Sequence, residues 1–119
     1  LIRVGEIFVF GSNLAGRHGA GAARQAYVEF GAKMGQGVGH IGASYAIPTK
    51  DEQIRTMHLH QIEPYVEEFI DYAKAHPELK FFLTPIGCGL AGYRREQIRP
   101  MFKDAPDNVR FAETWEERD

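Results

Sequence analysis

Glycine placement constrains this chain more than any other feature. Twelve of its thirteen glycines fall in three stretches, residues 11–21, 31–42 and 87–92, and only Gly5 lies outside them. Scattered glycines mark ordinary turns. Clustered glycines mark loops where the backbone takes positive φ or comes close to another group. Two of the clusters directly follow short apolar runs. Ile7-Phe8-Val9-Phe10 runs into Gly11, and Lys80-Phe81-Phe82-Leu83-Thr84 runs into Pro85 and the Gly87 loop. Runs of this kind read as strands buried on both faces.

Between these strands the periodicity changes. Ala22, Ala23, Ala26, Tyr27 and Phe30 recur at helical spacing within an alanine-rich stretch from Ala20, which Gly31 ends. Residues 35–42 read as a turn or flexible loop. Ser44-Tyr45-Ala46-Ile47 reads as a strand closed by Pro48, and residues 51–58 as a polar loop. Ile62, Tyr65, Val66, Phe69, Ile70 and Ala73 describe an amphipathic helix with Pro64 in its first turn. Arg95 to Phe102 reads as a short helix and Asn108 to Phe111 as a last strand. Residues 113–119 read as a frayed acidic end. The alternation of strand and helix predicts a single α/β domain over residues 1–119, with a mostly parallel sheet and helices on its faces. In such sheets ligands lie beyond the carboxyl ends of the strands, so both strand-following glycine loops belong to one edge of the molecule.

Composition removes several classes of function. At 119 residues the chain holds one core and no separate substrate domain. A net charge of −2 gives no global electrostatic case for coating nucleic acid or an anionic membrane. No apolar run approaches the ~20 residues of a spanning helix. A single cysteine excludes an internal disulfide framework and fits a reducing, cytoplasmic setting. No signal-peptide pattern opens the sequence.

The first loop runs from Gly11 through Ser12, Asn13, Gly16, His18, Gly19, Ala20 and Gly21 into the first helix. Small residues there let successive N–H groups face one anion at a helix N-terminus. It is neither a P-loop, for want of Gly-Lys-Ser/Thr, nor the dinucleotide fingerprint. Taken alone it is equally a tight strand–helix connection. The second loop, Ile86-Gly87-Cys88-Gly89-Leu90-Ala91-Gly92-Tyr93, is another candidate cradle. Two such loops on one edge suit a pyrophosphate.

These residues carry a resemblance. Asn13 with His18-Gly19-Ala20-Gly21-Ala22-Ala23 is similar to the asparagine and glycine-rich loop that opens the main helix of macro domains. Gly89-Leu90-Ala91-Gly92-Tyr93 is similar to their second phosphate loop. Tyr45-Ala46-Ile47-Pro48-Thr49-Lys50 and Pro85-Ile86-Gly87-Cys88-Gly89-Leu90 resemble the terminal ADP-ribose protein glycohydrolase branch of that superfamily, and the order agrees from about residue 5 to 103. The short chain is similar to compact versions carried by bacteria and their phages. The resemblance implies a three-layer α/β/α fold lacking one N-terminal strand. It implies a diphosphate threaded between the loops, with Ser12, Asn13, His18, Gly19, Ala20, Gly21, Thr49 and residues 86–93 around the ligand. It further implies Lys50 as a nucleophile at the anomeric carbon of the distal ribose. The ligand is then ADP-ribose, a derivative of it, or an ADP-ribosylated macromolecule, and nucleic acid enters only as such a target. No cofactor and no metal are implied.

Two departures stand out. The branch carries a resolving aspartate where this chain has Ala91, which leaves Asp51 and His18 as the substitutes to consider. Gly5-Glu6 opens the strand that leads to Asn13, so Glu6 does not inherit the family's adenine-binding acid. Two further readings stay open: a non-catalytic reader or sequestering module, and a scaffold whose loops contact RNA or a protein partner. Cys88 lacks a histidine that the sequence forces beside it. His58 and His60, with His18 and His40, lack a third ligand at metal-binding spacing. Arg94 and Arg95 lie within reach of a phosphate in the second loop, or start a solvated helix.

Overall fold

The first strand, β1 (Glu6–Asn13), is buried along nearly its whole length, which places it at the centre of a sheet. The computed structural model describes residues 1–117, and Arg118 and Asp119 lie outside the described residues. Strands β2 (Gly39–Ile41), β3 (Ser44–Lys50), β4 (Lys80–Leu83) and β5 (Val109–Phe111) complete a five-stranded sheet of order β2-β3-β1-β4-β5. β1 pairs in parallel with β3 and with β4, and β4 with β5, while β2 runs antiparallel to β3. The chain is therefore an α/β domain with a mixed, mostly parallel sheet and three helices: α1 (Gly21–Glu29), α2 (Leu59–Ala75) and α3 (Arg95–Ile98).

Side-chain alternation divides the core between the two faces of this sheet. Val9 is paired with Tyr45 on β3, and Tyr45 and Phe81 both meet Phe69 of α2, with ring centroids 5.0 and 5.3 Å apart. Ile62, Val66, Phe69, Ile70 and Ala73 form the buried stripe of α2. Phe8 and Phe10 point the other way. Phe8 stacks on Phe30 at 4.7 Å, just beyond α1, and Phe10 meets the edge of His18.

Several elements differ from the sequence reading. β2 falls in the stretch read as a turn or flexible loop. Its three residues lie between glycines and carry no apolar alternation long enough to mark a strand. β3 continues through Pro48 to Lys50, because Ser12 of β1 is still its partner there. α2 starts at Leu59, so Pro64 sits in its second turn rather than its first. In α1 the buried residue is Ala26, and Tyr27 is exposed. The C-terminal stretch is not frayed over its described part. Residues 113–116 form a 3-10 turn, and buried Trp115 donates its indole N–H to the Leu83 carbonyl at 2.8 Å. The amide of Ala112 shares that acceptor at 2.9 Å, so this segment caps the end of β4.

One partly buried ion pair ties the opposite edge of the sheet together. Arg110 of β5 reaches past β4 and lies over the Phe82 ring. It grips Glu6 with two hydrogen bonds of 2.7 and 2.8 Å, and Glu6 also accepts from the Arg3 amide at 2.7 Å. These contacts, Arg110 foremost, hold the Glu6 carboxyl below its ordinary range. A depressed folded-state value means that the pair stabilises the fold above the unfolded carboxyl's titration and loses that effect as pH falls through the folded one. Glu6→Gln is therefore expected to lower the melting temperature at neutral pH. The gap from the wild type should narrow steadily on acidification below about pH 4. A gap that stays constant from neutral to acid pH would show that the ionised pair is not what Glu6 contributes.

Candidate functional site

The parallel register of β1 with β3 and β4 carries their carboxyl ends to one edge. A cleft of about 660 Å³ opens there, within the ordinary size of a small-molecule site. Its floor is built from Gly11, Ser12 and Asn13 of β1, Thr49 and Lys50 of β3, and the Thr84–Ala91 segment after β4. One wall is the start of α1, residues 19–23, and Arg17, Ile54, Arg95 and Thr114 complete the rim. The two strand-following glycine loops approach closely at the floor, where a Cβ on Gly11 would lie 3.3 Å from the Gly87 nitrogen.

The electrostatics are one-sided. Among the described residues the lining holds three cations, Arg17, Lys50 and Arg95, and no carboxylate, although the whole chain is net negative. α1 adds partial positive charge. Its cap residue Ala20 offers no side-chain acceptor, and its first turn contains no acidic residue. The first N–H groups of the helix thus face the cleft without a side-chain cap. In the second loop, the amides of Gly89, Leu90 and Ala91 donate to no carbonyl among the described residues. Unbonded amides beside cations are the chemistry that suits an anion, and a cleft of this volume has room for more than one phosphate.

The third glycine stretch, residues 31–42, does not border the cleft. It braces the first loop from behind. The Ser12 hydroxyl donates to the Gly37 carbonyl, and the Gly35 amide donates to the Gly16 carbonyl at 2.9 Å. A Cβ on Gly37 would stand 1.9 Å from the Asn13 carbonyl oxygen, which explains the glycine by contact rather than by turn geometry.

Asn13 lines the cleft, but its amide is also the clasp of its own loop. Its Nδ2 donates to the Arg17 carbonyl at 2.8 Å, and its Oδ1 accepts from the Arg17 amide at 2.9 Å. The Lys50 carbonyl accepts from the Leu14 amide at 2.9 Å, so the lysine backbone is fastened to the same loop. The half-buried Lys50 side chain makes no hydrogen bond or ion pair among the described residues.

The remaining expected site residues divide. Ser12, Gly19, Ala20, Gly21, Thr49 and residues 86–91 line the cleft. His18 does not. It is buried behind the first loop against Phe10, its Nε2 within 2.9 Å of the Lys33 carbonyl and 3.1 Å of the Gln36 carbonyl, and its Nδ1 has no partner among the described residues. Asp51 is adjacent to Lys50 in sequence but turns away into a tight loop. Its Oδ1 accepts the amides of Gln53 and Arg55 at 2.9 Å each. These bonds, the Arg55 amide first, hold the carboxyl below its ordinary range. Gly92 and Tyr93 lie outside the lining, and the Tyr93 hydroxyl donates to the Met57 carbonyl at 2.6 Å. The Cys88 thiol donates to the Ile86 carbonyl at 3.4 Å. Arg94 pairs with Glu96 on the surface. The rings of His58 and His60 stack at the start of α2, and no group of three metal-ligating side chains occurs among the described residues.

Four lining residues were not candidates from sequence: Arg17, Ile54, Thr84 and Thr114. Arg17 lies inside the glycine loop and was legible as its one cation. Thr114 was not, because nothing local brings the C-terminal stretch back to the cleft.

Gly37→Ala is expected to disturb the cleft from behind, since the new methyl meets backbone that cannot swing aside. The change should cost about 2–4 kcal/mol of stability, measured by denaturant unfolding. A cost near zero would contradict the bracing role. Comparisons with protein families, with curated proteins and with solved structures find no match for this chain.

Proposed function

We propose that the cleft binds ADP-ribose or a closely related nucleotide-diphosphate derivative, as a minimal macro-type domain would. One observation carries this reading. Two glycine loops and the uncapped start of α1 converge on a pocket whose charged lining residues are all cations. A diphosphate offers the charge and the two acceptor clusters that this arrangement complements. The motif resemblance in the 11–23, 45–50 and 85–93 segments supports the same ligand class. The ligand's diphosphate lies between the loops and its distal ribose lies toward Asn13 and Lys50.

Chemistry at that ribose follows from Lys50. As a neutral amine, Nζ attacks the anomeric carbon, the bond to the attached group breaks, and the leaving group takes up a proton. Completing a hydrolytic cycle requires water to displace the lysine, and a base to activate that water. Here the cleft supports a second reading. Ala91 stands where the resembling branch carries its aspartate, Asp51 is spent in its turn, and His18 is sealed behind the loop. The lining is that of a module that binds and holds its ligand, and turns it over slowly or not at all.

Calorimetric titration with ADP-ribose should show binding, and absence of binding at millimolar ligand would contradict the reading. Incubation with an ADP-ribosylated peptide should leave a covalent ADP-ribosyl adduct on Lys50, seen by intact-protein mass spectrometry. Lys50→Ala should abolish the adduct and retain ligand binding, and Ala91→Asp should convert the adduct into released ADP-ribose. Turnover by Lys50→Ala at the wild-type rate would exclude the lysine as nucleophile. Binding with neither adduct nor turnover would select the reader.

A further inference from the structure

Ile54 breaks a local rule without a visible reason in the fold. It is the one non-glycine residue with positive φ among the described residues, at +62°. A β-branched side chain is a poor occupant of that region. The setting explains the shape of the backbone. β3 is prolonged into a narrow hairpin by the antiparallel bridge between Lys50 and Thr56, and the Asp51 amide donates to the Arg55 carbonyl at 2.8 Å. The turn between them ends on a left-handed residue, a position where glycine or asparagine is the usual choice. Packing does not explain the isoleucine. Ile54 belongs neither to the buried core nor to the apolar side chains packed against it, and it is 36% exposed. What it does face is the cleft.

The hairpin is fixed to the second glycine loop, since the Thr56 hydroxyl donates to the Ala91 carbonyl at 3.0 Å. Ile54 is thereby held at a set position on the rim, close in the chain to Lys50. Leu90, 71% exposed, is a second apolar side chain on that rim, and its Cδ1 would lie 3.8 Å from a Cβ on Gly21 at the start of α1. Strained residues that persist without packing support occur at ligand sites.

We propose that Ile54 is a ligand-contacting residue that packs on the non-phosphate body of the ligand at the Lys50 end of the cleft and excludes water there. The assignment rests on the function proposed above. It predicts opposite effects on stability and on binding, which a purely structural residue would not produce. Ile54→Gly and Ile54→Asn both suit the left-handed backbone. Each should melt at or above the wild-type temperature, by up to about 5 °C, yet bind ADP-ribose roughly tenfold more weakly in calorimetry. Ile54→Val should bind as the wild type does. If the glycine and asparagine variants bind ADP-ribose with wild-type affinity while the wild type itself binds, this assignment is overturned and the proposed function stands. A melting temperature that falls together with affinity would also overturn it, by making the residue structural. If the wild type binds no ADP-ribose, both fail together.

Discussion

The cleft depends on the parallel pairing of β1 between β3 and β4. Parallel neighbours end on the same edge, so three separate chain segments deliver their loops to one place. Burial of β1 on both faces fixes this arrangement. A slip of one residue would turn Phe8 and Phe10 toward α2 and expose Val9 to the wrong layer. At the other end of the same strand, the Glu6–Arg110 pair joins β1 to β5 across β4. The strand is thus clamped at its start, and the residues that line the cleft lie at its finish.

Backbone contact does much of what side chains do in other sites. Gly37 permits the third glycine stretch to lie against the Asn13 carbonyl, and Asn13 in turn closes its own loop on Arg17. Free amides at the start of α1 and in the second loop then face a shared volume. Cations are added singly, from the first loop, from the end of β3 and from α3. A chain with a small net negative charge therefore lines this cleft with Arg17, Lys50 and Arg95, the last paired with Glu117, and net charge alone does not describe the cleft.

Much of this organisation was legible in the sequence. The four parallel strands and the two long helices follow from apolar runs and from spacing, and the position of the glycine loops follows from the alternation of elements. What remained hidden depends on contacts between distant segments. β2 is three residues long and pairs only with its neighbour in the hairpin. The role of the 31–42 stretch lies in its contact with residues 12–16, which no local pattern records. Trp115 seals the end of β4 from a stretch whose acidic composition resembles a tail. The two residues considered as substitutes for the missing aspartate show the same limit. Asp51 is beside Lys50 in sequence, yet a turn directs its carboxylate away, and His18 lies within the glycine loop yet points into the core. Sequence proximity located the cleft but did not show which side chains enter it.

We propose that the two glycine loops and the start of α1 together hold one anionic ligand. Amide chemical-shift changes during a titration with ADP-ribose test it most directly, because the proposed contacts are largely main-chain N–H groups. The largest changes should map to residues 19–23 and 86–91, with Lys50 and Ile54 beside them. Changes centred on the opposite edge of the sheet, around Glu6, His40 and Leu79, would contradict the account, as would the absence of any change at saturating ligand.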